Sequence, residues 1–285
     1  MSVESASLPV PVTRIRATTG WRALDLTELW RYRELLFFLA WRDVKLRYKQ
    51  TALGVAWAVL QPLATMLVFS IFFGKLGGMK SDGVPYPLFV LTALLPWQLF
   101  AYSLTQASNS LVSEQRLITK VYFPRLIVPF SSVLAGLADF VVTFVLLIGL
   151  LAWYAVQGRL SWPGWPLLTL PLFVLLSVAT ALSVGLWLSA LNVKYRDFRY
   201  TLPFLTQFWL FATPVAYPSS IVPEPYRALY GLNPMAGVVE GFRWLLLGTS
   251  PPGPLMAVSV VVVIVLLAGG LFYFRRLERT FADIV

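Results

Sequence analysis

A chain of 285 residues with 58% hydrophobic and 13% charged side chains is too apolar for a soluble domain, which carries about a quarter charged residues. A formal charge of +10 fits nucleic acid or an anionic membrane, and the alternation of basic segments with long apolar runs excludes the first and selects the second. The absence of cysteine and histidine excludes thiol chemistry, disulfides and the commonest metal ligand.

In chain order, residues 1–27 lack the apolar stretch of a cleavable signal peptide and are expected to form a loose cytosolic tail. Residues 28–49 predict an amphipathic helix at the membrane surface. Trp30, Phe37, Trp41, Val44 and Tyr48 share one arc, and Arg31, Glu34, Arg42, Lys45 and Lys49 share another. Phe38 interrupts the polar arc, and a solvated juxtamembrane helix is the alternative.

Residues 50–285 read as one membrane domain. A hydrocarbon core about 30 Å thick takes roughly 20 apolar residues in a helix. Six segments qualify: 51–73, 88–109, 126–154, 167–192, 201–217 and 255–274. The fold class expected is therefore an all-α membrane protein with six transmembrane helices, the surface helix and short outer helices.

Lys and Arg fix the orientation. The first tail, the second and fourth loops and the C-terminus carry nine, three, three and three. The alternate loops carry two, one and two. The basic side is cytosolic, so both termini are expected inside. An odd number of spans would break the alternation.

Between the last two spans, Asn233-Pro234 reads as an N-cap followed by proline at the first helical position, and Gly248 as the closing glycine. The enclosed apolar helix is too short to cross. It either dips into the outer leaflet or covers the ends of other helices.

No P-loop is present. The nearest candidate, Gly78-Met79-Lys80-Ser81, has methionine where the second glycine belongs, so ATP must be bound by another chain if it is used at all. Asp139 is the one acid inside the apolar spans, with no ionisable partner evident in the sequence. It serves either a structural role or transport and gating, the latter the basis of an alternative reading as a secondary transporter. Phe69, Phe73, Trp97, Phe100, Phe204, Phe208, Phe211 and Tyr217 either line a path on which sugar rings stack or face lipid. Pro62, Pro96, Pro203 and Pro214 permit kinks. The loop 113–125 mixes charges with apolar residues, as either a docking helix or an ordinary loop.

The run Trp41-Arg42-Asp43-Val44-Lys45-Leu46-Arg47-Tyr48-Lys49-Gln50-Thr51-Ala52-Leu53-Gly54, with Trp57 and Gln61-Pro62, resembles the start of ABC exporter permeases of the O-antigen and polysaccharide group. Residues 119–125, 192–197, Asn233-Pro234-Met235, 240–244 and Phe281-Ala282-Asp283 carry the same likeness. The resemblance implies a bacterial inner-membrane subunit that pairs with a second copy and with two ABC ATPase subunits. These hold ATP and magnesium, leaving this chain without cofactor, metal or catalytic residues. It further implies export of a polyprenyl-diphosphate-linked glycan to the periplasm, with teichoic acid, capsule or another lipid-linked substrate as alternatives. Coupling to the ATPase would fall to Glu114, Arg116, Lys120 and Tyr122 in the loop and to Arg42 and Lys45 in the surface helix. The outer gate would include Tyr226, Asn233, Glu240 and Arg243.

Overall fold

The computed structural model describes residues 26–49, 54–160, 164–195 and 197–284. Residues 1–25 of the expected tail, the start of the first span at 51–53, and Arg196 lie outside the described residues. Among the described residues there are helices and turns and no strand.

Two helices precede the bundle, α1 (Leu26–Arg31) and α2 (Arg33–Lys49). The bundle follows with α3 (Gly54–Phe69), α4 (Tyr86–Ser113), the short α5 (Gln115–Lys120), α6 (Ile127–Val156), α7 (Leu170–Lys194) and α8 (Phe198–Ala212). After them come α9 (Glu224–Tyr230), α10 (Pro234–Leu247) and α11 (Gly253–Ile284). A π-helical turn over Ser70–Leu76 prolongs α3, and a 3-10 turn over Trp165–Thr169 leads into α7.

Five of these segments are long and apolar enough to cross a membrane: Ala56–Leu76, Tyr86–Ser113, Ile127–Val156, Trp165–Lys194 and Gly253–Glu278. The expected span over 201–217 is shorter than anticipated. Its helix, α8, has 15 residues, about 22 Å at 1.5 Å per residue. It stops at Ala212 because Thr213, before Pro214, is extended, as the proline ring demands of its predecessor.

The centre of the bundle is α4, which is mostly buried between α6, α7 and α10. Small residues bring the backbones close, the usual means of packing where lipid already satisfies apolar side chains. A Cβ on Gly136 of α6 would lie 2.8 Å from the Tyr102 ring, and one on Gly185 of α7 would lie 2.9 Å from Ala107. The α7–α11 seam is fixed by Trp187, whose indole donates to Leu266 O at 3.0 Å. Several hydroxyls along these helices return to their own backbone, as Ser108 does to Leu104 O at 2.6 Å, and these cost little in an apolar interior.

Two apolar clusters mark the two ends. One joins Leu39 of α2 to Ile118, Phe123, Leu126, Val193, Phe274 and Phe281. This is the basic end, where Arg275 bonds Glu278 at 2.8 Å and Glu278 accepts from the Arg125 backbone at 3.0 Å. The other, larger cluster runs through α4 to Met235, Val239 and Phe242 of α10. There the loop between α3 and α4 meets the segment after α8: Tyr86 donates to Ala216 O at 2.6 Å, and Ser220 donates to Asp82 at 3.2 Å. The start of α8 follows directly on Asn192 at the end of α7, which donates to Ser108 O and Asn109 at 3.1 Å near the opposite end of α4.

The surface helix expected over residues 28–49 is made by α1 and α2. It is apolar on both flanks. Leu39 and Ala40 are buried against the bundle with Leu35 and Leu36 beside them, while Trp30, Phe37, Phe38 and Trp41 are exposed. Tyr48, assigned by the sequence to the same arc as Trp41, turns inward instead.

Candidate translocation and coupling sites

At the basic end, Arg42 of α2 reaches the hinge between α4 and α5. Its guanidinium donates to both carboxylate oxygens of Glu114, at 2.5 and 3.2 Å, and to Asp43 at 2.8 and 3.0 Å. A planar fork meeting two carboxylates is the geometry that suits arginine and not lysine. Burial works to lower the Arg42 pKa, and the bonds to Glu114 and Asp43 more than offset it, so the guanidinium ends above its ordinary value. Two residues expected to face a partner therefore face each other, and they tie α2 to the loop 113–125.

Within that loop Ile118 and Phe123 are buried anchors, and Arg116, Lys120 and Tyr122 project outward. Lys45 is also exposed, its ammonium 5.5 Å over the Trp41 ring. The arrangement offers a small basic and aromatic ledge on a rigid foundation.

One turn further along α2, Arg47 pairs with Asp139 of α6 and lies 4.3 Å over the Tyr102 ring of α4. The Tyr48 hydroxyl donates to the same carboxylate. Burial, then the bond to Asp139, pushes the Tyr48 phenol up from its ordinary value. The sequence offered Asp139 no ionisable partner. The structure supplies one from a segment 92 positions upstream, because α2 packs along α6. This cluster forms one wall of a cavity of about 520 Å3 between α3, α4 and α6. Trp57, Trp97, Gln61, Gln98 and Thr105 add ring faces, amides and a hydroxyl, and Leu94, Leu95, Leu99, Phe140 and Leu210 make much of the remaining wall apolar. Arg47 and Tyr102 were missed as site residues. The available signal was the lone intramembrane acid, which calls for a cation from the nearest basic helix.

The aromatic residues expected along a path divide. Trp97 lines the cavity. Phe100 does not; it is fully buried against Trp209, ring centres 5.0 Å apart, because α4 turns that face into the core. Phe69 and Phe73 stack edge to face at 5.3 Å. Phe204, Phe208 and Phe211 form an open stripe on α8, each more than half exposed.

At the far end, α10 is capped as its sequence predicts: the Asn233 side chain accepts from Met235 N at 3.1 Å, and Gly248 adopts φ 69°. Asn233 also accepts from the Trp209 indole at 2.8 Å, joining α10 to α8. Arg243, only 1% exposed, donates to Glu240 at 2.9 Å and to Val215 O at 3.0 Å, and it covers the Phe89 ring at 3.6 Å. Desolvation lowers its pKa, partly offset by Glu240. Tyr217 and Tyr230 share a bond at 2.8 Å, and Tyr226 is exposed on α9. A polar cavity of about 450 Å3 opens beside Asp82, Glu224, Arg227 and Glu240.

The described residues thus define a multi-pass helical membrane protein with an ionic, aromatic cavity among its spans and a helical cover at one end. The family described as ABC-2 type transporter matches residues 34–247, and the chain belongs to it. The chain is similar to the O-antigen export system permease protein RfbA of Myxococcus xanthus, 34% identical over 88% of this chain and 96% of that protein. A protein of the same name from Klebsiella pneumoniae is 27% identical over 88% and 95%. The polysialic acid transport protein KpsM of Escherichia coli is 24% identical over 70% of this chain and 76% of its own length.

Proposed function

We propose that this chain is the membrane permease of an ATP-driven exporter that moves a lipid-linked polysaccharide of the O-antigen kind across the bacterial inner membrane. The observation that carries the reading is the family match together with relatives named for O-antigen export that align over 88% of the chain. A capsule-type polymer is the second reading, favoured by the polysialic acid transporter, and its alignment covers less of the chain.

In this reading two copies flank a central path and two separate ATPase subunits bind below them. The ATPase grips Arg116, Lys120 and Tyr122, and the Arg42–Glu114 tie passes the movement of α5 to α2 and α4. Export runs toward the periplasm, α8 makes the sixth crossing, and α9 and α10 cover the outer mouth.

The test is purification of the tagged chain together with a candidate ABC ATPase subunit from the same organism, reconstituted with a lipid-linked glycan. Co-purification at equal stoichiometry with ATP-dependent loss of glycan from the cytosolic leaflet is expected. A chain that ignores that ATPase and moves solute in its absence overturns the reading in favour of a secondary transporter.

A further inference from the structure

Asp139 is the one acid in the apolar interior of the five spans, and its partner comes from outside the spans. The pair is not sealed in packing: the Arg47 and Asp139 side chains are 37% and 21% exposed, and both border the 520 Å3 cavity. Tyr48 also lines this cavity, its hydroxyl already bonded to the carboxylate, and so does the Tyr102 ring, on which the guanidinium rests. Helix α2 has five basic residues against two acidic ones, four of the basic ones between Arg42 and Lys49. With Arg42 taken up by Glu114 and Asp43, Lys45 and Lys49 keep the field around Arg47 positive, which favours an anion.

We propose that Arg47 is the binding site for the phosphate of a lipid headgroup, and that Asp139 occupies the position of that phosphate while the site is empty. A guanidinium binds carboxylate and phosphate through the same bidentate fork, and phosphate brings more charge and more acceptor oxygens. On exchange the Tyr48 hydroxyl and the Arg47 fork turn from the carboxylate to the phosphate. Trp57, Trp97 and the glutamine amides then receive the portion of the molecule next to the phosphate. The tie between α2 and α6 opens as the headgroup enters, so loading of the site and loosening of α2 are one event. This inference rests on the reading of the chain as a carrier of phosphate-bearing lipids.

The experiment is equilibrium binding of a radiolabelled long-chain polyprenyl diphosphate to the full chain with its ATPase in lipid nanodiscs, without ATP. The polyprenyl alcohol and inorganic diphosphate serve as competitors. Wild type binds the diphosphate lipid, and the alcohol does not compete. Asp139→Asn, which removes the internal competitor, binds about fivefold tighter, the size of one partly exposed charge pair. Arg47→Gln binds at least about tenfold more weakly, and Arg47→Lys falls between the two because it keeps the charge and loses the fork. Thermal melting of each variant establishes folding, and Arg47→Lys carries the test if Arg47→Gln does not fold. Equal binding by all variants, or weakening by Asp139→Asn in parallel with Arg47→Gln, overturns the proposal and leaves the pair a structural tie. Inorganic diphosphate competing as well as the lipid overturns the lipid assignment in favour of a free anion. Binding is read without transport, so failure here leaves the export reading standing, and failed export with intact binding rejects only that reading.

Discussion

Arg243 shows what one buried charge asks of its surroundings. Its guanidinium serves Glu240, Val215 O and Tyr217 O while lying against Phe89. Arg243→Met leaves the Glu240 carboxylate and two carbonyls without that donor, and a loss of about 3–5 kcal/mol is expected. Glu240→Gln keeps an acceptor and is expected to cost about 1–3 kcal/mol. Melting temperatures in detergent check the order, and equal shifts would contradict it. At Gly241 the constraint is space, since a Cβ would sit 1.8 Å from the Phe173 ring. Gly241→Ala is expected to destabilise by about 1–3 kcal/mol, read in the same assay.

At the scale of elements, the Arg42–Glu114 tie makes α2 and α5 one unit. Arg42→Glu and Glu114→Arg are each expected to lower ATP-driven export. The double exchange should recover part of it, with a coupling of about 1 kcal/mol in the ATPase rate or export rate. Additive loss would mean that the two residues act separately. The sequence made some of this legible and not the rest. The caps of α10 were readable because Asn233, Pro234 and Gly248 act on their own neighbours. The two ionic ties of α2 join residues 72 and 92 positions apart, and nothing local records such a meeting. In α2, apolar periodicity did not distinguish the flank that packs on the bundle from the one left exposed. The same ambiguity placed Phe100 on a path when its ring is in the core. Length misled at α8, where Pro214 ends the helix before the apolar run ends.

Across the whole molecule, the number of crossings decides which loops share a side. Its lack of cysteine makes single-cysteine labelling direct. With α8 as a crossing, Met79→Cys, Arg159→Cys and Glu224→Cys are expected to react with an impermeant maleimide from the periplasmic side. Arg116→Cys and Tyr195→Cys should react only after the cytosolic side is opened. Labelling of Tyr195→Cys and Glu224→Cys from the same side would remove α8 from the count. The hydrogen bonds at its two ends make the opposite result the expected one.

The sparse packing of α3 carries a different consequence. Leu60, Leu67 and Val68 are exposed along it, and Ile71 and Phe72 along its π-helical extension. In a bilayer these side chains are already dissolved in hydrocarbon, so any surface that settles on α3 displaces acyl chains and not water. Release of ordered water, which drives most association in solution, is absent there. The strength of such a contact is set by how well two surfaces fit compared with how well fluid tails fit either one. The same chain should therefore associate differently in thin and thick membranes, or in ordered and fluid ones, without any change in its own residues.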